Sequence, residues 1–269
     1  MTKRRSNPDP WFPMLLIAIV LLAAWLGIVG PMPEGVAKWI RDWQTLIGAT
    51  IAVVAAYIAF RNTRLTLALT QKLETHRRER KHASLRATLP LALSQIGNYG
   101  EETAKALQGL IGACRNEALP VGTINALTFL RPVPSEALKS MAEFIEYSDD
   151  VETGVLASTI ALIQIHNSRL HAMVRDNDDA SRTHIITRSN IEGYIIDAAT
   201  ISAGAASAFD YVRRRSDELS GELLWDAVGG ALRNLGFWDD QHPRLFEIIA
   251  GRERRSRGPF EMFSRQDAI

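Results

Sequence analysis

The chain has six histidines and one cysteine, and these are the side chains whose chemistry asks first for partners. His166 and His171 stand five residues apart. On a helix that is about 140° of rotation, so they do not converge on one ion. His166 has Leu162, Ile163 and Leu170 around it at helical spacing and reads as a core histidine with satisfied ring nitrogens. His76 and His82 bracket the segment HRRERKH, where no carboxylate or cysteine set has metal-ligand spacing. DNDDASRTHIIT opens like a calcium loop at Asp176 and Asp178. Its sixth position is Ser181 instead of Gly, and its twelfth is Thr187 instead of a bidentate Glu. Cys114, in LIGACRN, reads as a small buried apolar residue. The acidic pairs Glu101–Glu102, Asp149–Asp150 and Asp239–Asp240 fall where helices start and suit the dipole there. The chain contains no G-x-S-x-G, G-x-x-x-x-G-K-[ST] or H-E-x-x-H. No catalytic, cofactor-binding or metal-ligating residue is therefore assigned, and no cofactor is expected.

The elements that would carry any chemistry begin with two uncharged runs. Residues 11–30, WFPMLLIAIVLLAAWLGIVG, are 20 residues without a charge. As a helix they rise about 30 Å, the hydrocarbon thickness of a bilayer. Residues 43–60 end in TLIGATIAVVAAYIAF and form a second uncharged run. Trp11 stands at one edge of the first run, and Trp39 and Trp43 stand at the start of the second, as membrane interfaces favour. The basic start MTKRR resembles a signal peptide, but the apolar core is too long and GPMP follows it. The expectation is an uncleaved anchor.

Charge sets the orientation. Lys3, Arg4 and Arg5 precede the first run, and Arg61 and Arg64 follow the second. The loop 31–42 balances Glu34 and Asp42 against Lys38 and Arg41. The positive-inside rule then gives a two-helix transmembrane hairpin with both termini cytoplasmic, in the plasma membrane, the inner one of a bacterium. The bilayer is thus an expected partner, with Lys3, Arg4, Arg5, Trp11, Trp39, Trp43, Arg61 and Arg64 as interface anchors. Ala23, Gly27 and Gly30 on the first span, and Gly48, Ala52, Ala56 and Ala59 on the second, recur every three or four residues. Such faces pack spans closely, within one hairpin or between two copies. Neither span holds an ionisable residue, which argues against a pump or ion path.

Beyond Phe60 a juxtamembrane helix is expected over 61–89, with Leu65, Leu69 and Leu73 on one face. Arg77 would lie roughly 25 Å past Phe60 along it, and Arg78, Arg80 and Lys81 farther still, against a Debye length of about 8 Å. This basic cluster is expected to meet acidic protein surface. Residues 1–86 hold 13 Lys/Arg against 5 Asp/Glu, a net +8, and the remainder holds 18 against 25, a net −7. No aromatic is interleaved with the cluster, so nucleic acid is not expected as a partner.

From Pro90 to about 256 the pattern is all-helical, punctuated by prolines, and a cytoplasmic helical bundle is expected, with a tail at 257–269. Leu138, Met141, Ala142 and Ile145 predict one apolar face, and Val155, Leu162, Ile163, His166, Leu170 and Met173 another. Ser181 predicts the start of a long helix to about Arg215, and a last pair is predicted over 219–235 and 243–254. Asp197 and Asp210 argue against a third span at 194–212. The fold class is therefore all-α: a basic tail (1–10), the hairpin (11–30, 31–42, 43–60), the juxtamembrane helix and the helical domain. The function expected is a membrane-anchored interaction or scaffold protein with a protein partner or a second copy. The alternatives are an accessory subunit of a larger membrane assembly, or an enzyme whose site has no motif.

Overall fold

A computed structural model describes residues 34–148, 150–179, 184–216, 219 and 222–261. The expected first span and basic tail, with Lys3, Arg4, Arg5, Trp11, Ala23, Gly27 and Gly30, lie outside the described residues. Every regular element among the described residues is a helix, and the only β pairings are the isolated bridges Arg115–Ala118 and Ala118–Thr187. The fold is all-α.

The first helix, α1, runs Glu34–Ala113. Two of its features differ from expectation. Residues 34–42, predicted as part of a loop, are helical, since nothing between Glu34 and Trp43 breaks a helix once Pro33 is passed. Pro90, predicted as a break, sits inside it. A mid-helix proline costs about 3 kcal/mol. Leu85, Leu89, Leu93 and Ile96 on either side of it are buried, and each is worth about 1.5–3 kcal/mol. Burial outweighs the lost hydrogen bond.

The chain divides into two compact units, Met1–Lys72 and Leu73–Ile269. In the first, side chains from Ile51 to Lys72 are exposed except the half-buried Val54. Thr63 and Thr66 donate their hydroxyls to the carbonyls of Ala59 and Asn62, at 2.9 and 3.0 Å. The Arg64 guanidinium lies over the Phe60 ring at 5.0 Å.

The second unit holds the core. After α1 a tight turn passes through Asn116 and Glu117, both left-handed at φ 50° and 61°, closed by reciprocal backbone bonds between Arg115 and Ala118. This is the mirror-image two-residue hairpin turn, in which Asn is at home and Glu is strained. Short α2 (Ala126–Phe129) and then α3 (Ser135–Tyr147) follow. α3 buries Ala137, Met141 and Phe144 and leaves Ala142 exposed, so its inner face is turned from the predicted one toward the larger aromatic ring. α4 (Asp150–Asp178) buries the six predicted residues from Val155 to Met173. At its end Asn177 bonds the chain at Pro120 and Ile124, each at 2.8 Å.

α5 (Arg188–Ser207) is the central helix. It packs against α4, the short α6 (Phe209–Val212), α7 (Trp225–Asn234) and α8 (Pro243–Glu253). It begins at Arg188, not near Ser181, because Thr187 and Asn190 form a capping box. Its alanines and Gly204 let neighbours approach: a Cβ on Gly204 would strike Thr159 Oγ1. Arg86 ties α1 to the end of α6, donating to the carbonyls of Tyr211 and Ser216 and stacking on the Tyr211 ring at 3.8 Å.

Two glycines in α1 give opposite expectations. A Cβ on Gly100 would meet Ser202 Oγ and lie 2.9 Å from the Ala198 carbonyl oxygen, whereas one on Gly97 meets nothing within 4 Å. Gly100→Ala is expected to cost about 1–3 kcal/mol by overpacking. Gly97→Ala should gain up to about 1 kcal/mol of helix propensity. Urea unfolding of the two variants checks the signs.

Candidate functional site

A cleft of about 540 Å³ between α4, α5, α7 and the chain leaving α8 combines charge with an apolar wall. Asp197 on α5 is its centre. It is 8% exposed, in a helix turn of isoleucine, alanine and threonine, so its charge needs cations. Arg169 from α4 donates to Asp197 Oδ2 at 2.8 Å, and Arg252 from the last turn of α8 comes within 3.8 Å of Oδ1. Burial nevertheless holds the Asp197 carboxyl above its usual range, against the pull of both arginines. Arg252 lies 5.7 Å above the Trp225 ring, whose Nε1 donates to Ser256 Oγ at 3.2 Å. Arg255 bonds only the Gly251 carbonyl, at 3.1 Å, and lines the cleft without a carboxylate partner among the described residues. Leu162 and Ile165 of α4 supply the apolar wall. Next to Ile165, His166 is fully buried with neither ring nitrogen bonded. The satisfied histidine expected is thus corrected: the ring meets the Tyr194 ring at a 6.3 Å centroid distance, and neither nitrogen finds a hydrogen-bond partner among the described residues. Burial, reinforced by the nearby Arg169 charge, pushes its pKa down to about 4.

No protein-family model, characterised protein or solved structure matches this chain.

The sequence-predicted residues lie elsewhere. Trp39, Trp43, Gly48, Ala52, Ala56, Ala59, Arg61 and Arg64 are in the first unit, on α1. Arg77, Arg78, Arg80 and Lys81 belong to the second, where they line a groove of about 740 Å³ together with Glu74 and with Glu143 and Tyr147 of α3. Within it Lys81 pairs with Glu143 at 2.6 Å, a bond that raises the lysine's pKa, and Arg78 pairs with Glu74 at 3.4 Å. Arg80 donates to the His76 carbonyl at 3.3 Å. Among the described residues, no three His, Cys, Asp or Glu side chains converge as metal ligands would. Cys114 is half-buried, its thiol donating to the Leu110 carbonyl and pushed up in pKa by burial.

A second charged constellation was invisible at the level of motifs. Glu192, 2% exposed, accepts from Arg188 at 3.2 Å; Arg244 Nε lies 2.9 Å from its Oε2 as an ion pair without hydrogen-bond alignment, and Arg244 donates to Glu117 at 2.7 Å, with Arg188 3.9 Å from Glu117. The Arg244 bond holds the Glu117 carboxyl below its usual range. The four side chains join the tight turn after α1 to α5 and α8. The charges pair with one another across these segments, so the cluster reads as a clamp.

Proposed function

We propose that the protein is a membrane-tethered interaction protein: a two-helix transmembrane hairpin in the inner membrane, with both termini and a helical bundle on the cytoplasmic side. The observation that carries this reading is the exposure of the apolar run of α1. Val53 and Tyr57 are 69% and 65% exposed, and Ile51, Ile58 and Phe60 are exposed too. At about 100° per residue these five spread over half the circumference, and the other half carries Gly48, Ala52, Ala55, Ala56 and Ala59. A helix apolar all round is covered by protein or by lipid. α1 is long and apolar enough to cross a membrane. Thr63 and Thr66 return their hydroxyls to the backbone, which lets them face a low-dielectric boundary. Arg64 folds over Phe60 where headgroups would begin. On this reading the large side chains face lipid and the small face packs on the first span or on a second copy. The basic groove around Lys81 receives the acidic surface of a protein partner.

The test is topology. Single cysteines are placed at Thr2, Gly35 and Ser94, with Cys114 replaced by serine, and intact cells are treated with a membrane-impermeant thiol reagent. Position 35 should label, and positions 2 and 94 should label only after permeabilisation. Labelling of position 94 on intact cells would overturn the hairpin.

A further inference from the structure

The arginine-lined cleft does something the membrane reading does not require. Three guanidinium groups line it, from Arg169, Arg252 and Arg255, against two carboxylates, Asp197 and Glu261. Asp197 occupies one N–H of Arg169 and faces one of Arg252 at a distance too long for a strong hydrogen bond. Glu261 accepts from the Arg257 backbone N–H at 2.8 Å. Among the described residues one positive charge is left over; it falls to Arg255, an exposed side chain anchored by its bond to the Gly251 carbonyl. Asp197 holds Arg169 and Arg252 from behind, and Arg252 is further placed over the Trp225 ring. The open space before them has a volume in the range of small-molecule sites. Its wall at Leu162 and Ile165 is apolar, and Ile165 is 37% exposed. A second depression along α4 shares Ile165 and Arg169, so the cleft continues onto an open groove beside the helix. Two arginines oriented by a buried carboxylate, one excess positive charge among the described lining residues and an adjoining apolar wall are complementary to one class of ligand.

We propose that this cleft binds a small organic carboxylate carrying a single negative charge, with the carboxylate on Arg255, Arg169 and Arg252 and an apolar body against Leu162 and Ile165. A carboxylate matches the planar donor fork of a guanidinium, and one negative charge neutralises the cleft where two would overshoot. The site lies wholly within the second unit and does not depend on the tether.

The experiment uses the full chain in detergent and ligand-observed NMR titration with three probes: benzoate, its neutral isostere benzamide, and phenyl phosphate. Benzoate should bind in the millimolar range or tighter and benzamide should not. Arg255→Gln should weaken benzoate by about tenfold, one lost charge-assisted contact. Arg255 is the decisive position because it holds no buried carboxylate, so its loss leaves nothing orphaned in the core. Arg169→Gln should weaken benzoate as well, with folding checked by circular dichroism because it partly uncovers Asp197. Equal binding of benzoate and benzamide, no benzoate binding, or full benzoate affinity in folded Arg255→Gln would each overturn the assignment. Phenyl phosphate binding more tightly than benzoate would overturn the single-charge claim.

Discussion

Replacing Arg188 and Arg244 together with alanine will destabilise the protein by roughly 3–5 kcal/mol, the cost of leaving a buried charge without a partner. The asymmetry of the clamp gives this its size. Glu192 is 2% exposed, whereas Arg188 and Arg244 are 39% and 44% exposed. If Glu192 is removed, the arginines can turn to water and to Glu117. If the arginines are removed, Glu192 has nowhere to go. Glu192→Gln alone should therefore cost less than the double arginine variant, and adding Glu192→Leu to that variant should restore part of the loss. Chemical denaturation of the parent, the single and the multiple variants measures these differences. A double arginine variant as stable as Glu192→Gln would show that Glu192 is not buried in solution.

What the sequence could show depended on how far apart cooperating residues lie along the chain. The apolar face of α4 was legible because six residues within one helix repeat it, and all six are buried. The all-helical character followed from the same periodicity. On α3 the predicted Leu138, Met141 and Ile145 pack on the core, but Ala142 is exposed and Phe144 is buried, because spacing alone does not weigh the larger ring. Pro90 was read as a break because local propensity gives no weight to the leucines that hold α1 through it. The start of α5 was placed at Ser181, a good cap by type, when the Thr187–Asn190 pair makes the reciprocal bonds. The cleft was the least legible feature. Arg169, Asp197 and Arg252 are separated by 28 and 55 positions, so no spacing links them. One signal was present: Asp197 stands alone in YIIDAATISAGAASAF, and a solitary acid in a helix that must be buried implies cations brought from elsewhere. The same acid argues against a third span.

The protein will lose stability in mild acid through His166. The residue is fully buried, both ring nitrogens lack partners, and its pKa is about 4 in the folded state against an ordinary value of 6.5. For a base with a depressed folded-state pKa, the unfolded chain takes up the proton first. Stability from this group is present above the unfolded pKa and is lost progressively as pH falls from about 6.5 toward about 4. The full span is worth roughly 3 kcal/mol at about 1.4 kcal/mol per pH unit. His166→Met should abolish that loss. Methionine is close to histidine in volume, adapts its shape, and removes two unsatisfied polar atoms from among Ile163, Leu170 and the Tyr194 ring. At neutral pH the variant should be as stable as the parent or slightly more so. Near pH 5 it should be more stable by about 2 kcal/mol. Urea unfolding midpoints measured between neutral and acidic pH give the comparison, and the imidazole Cε1 proton shift in NMR reports the titration directly. An unchanged pH slope in His166→Met, or an imidazole that titrates near its ordinary value in the folded protein, would show that solvent or a polar partner reaches the ring.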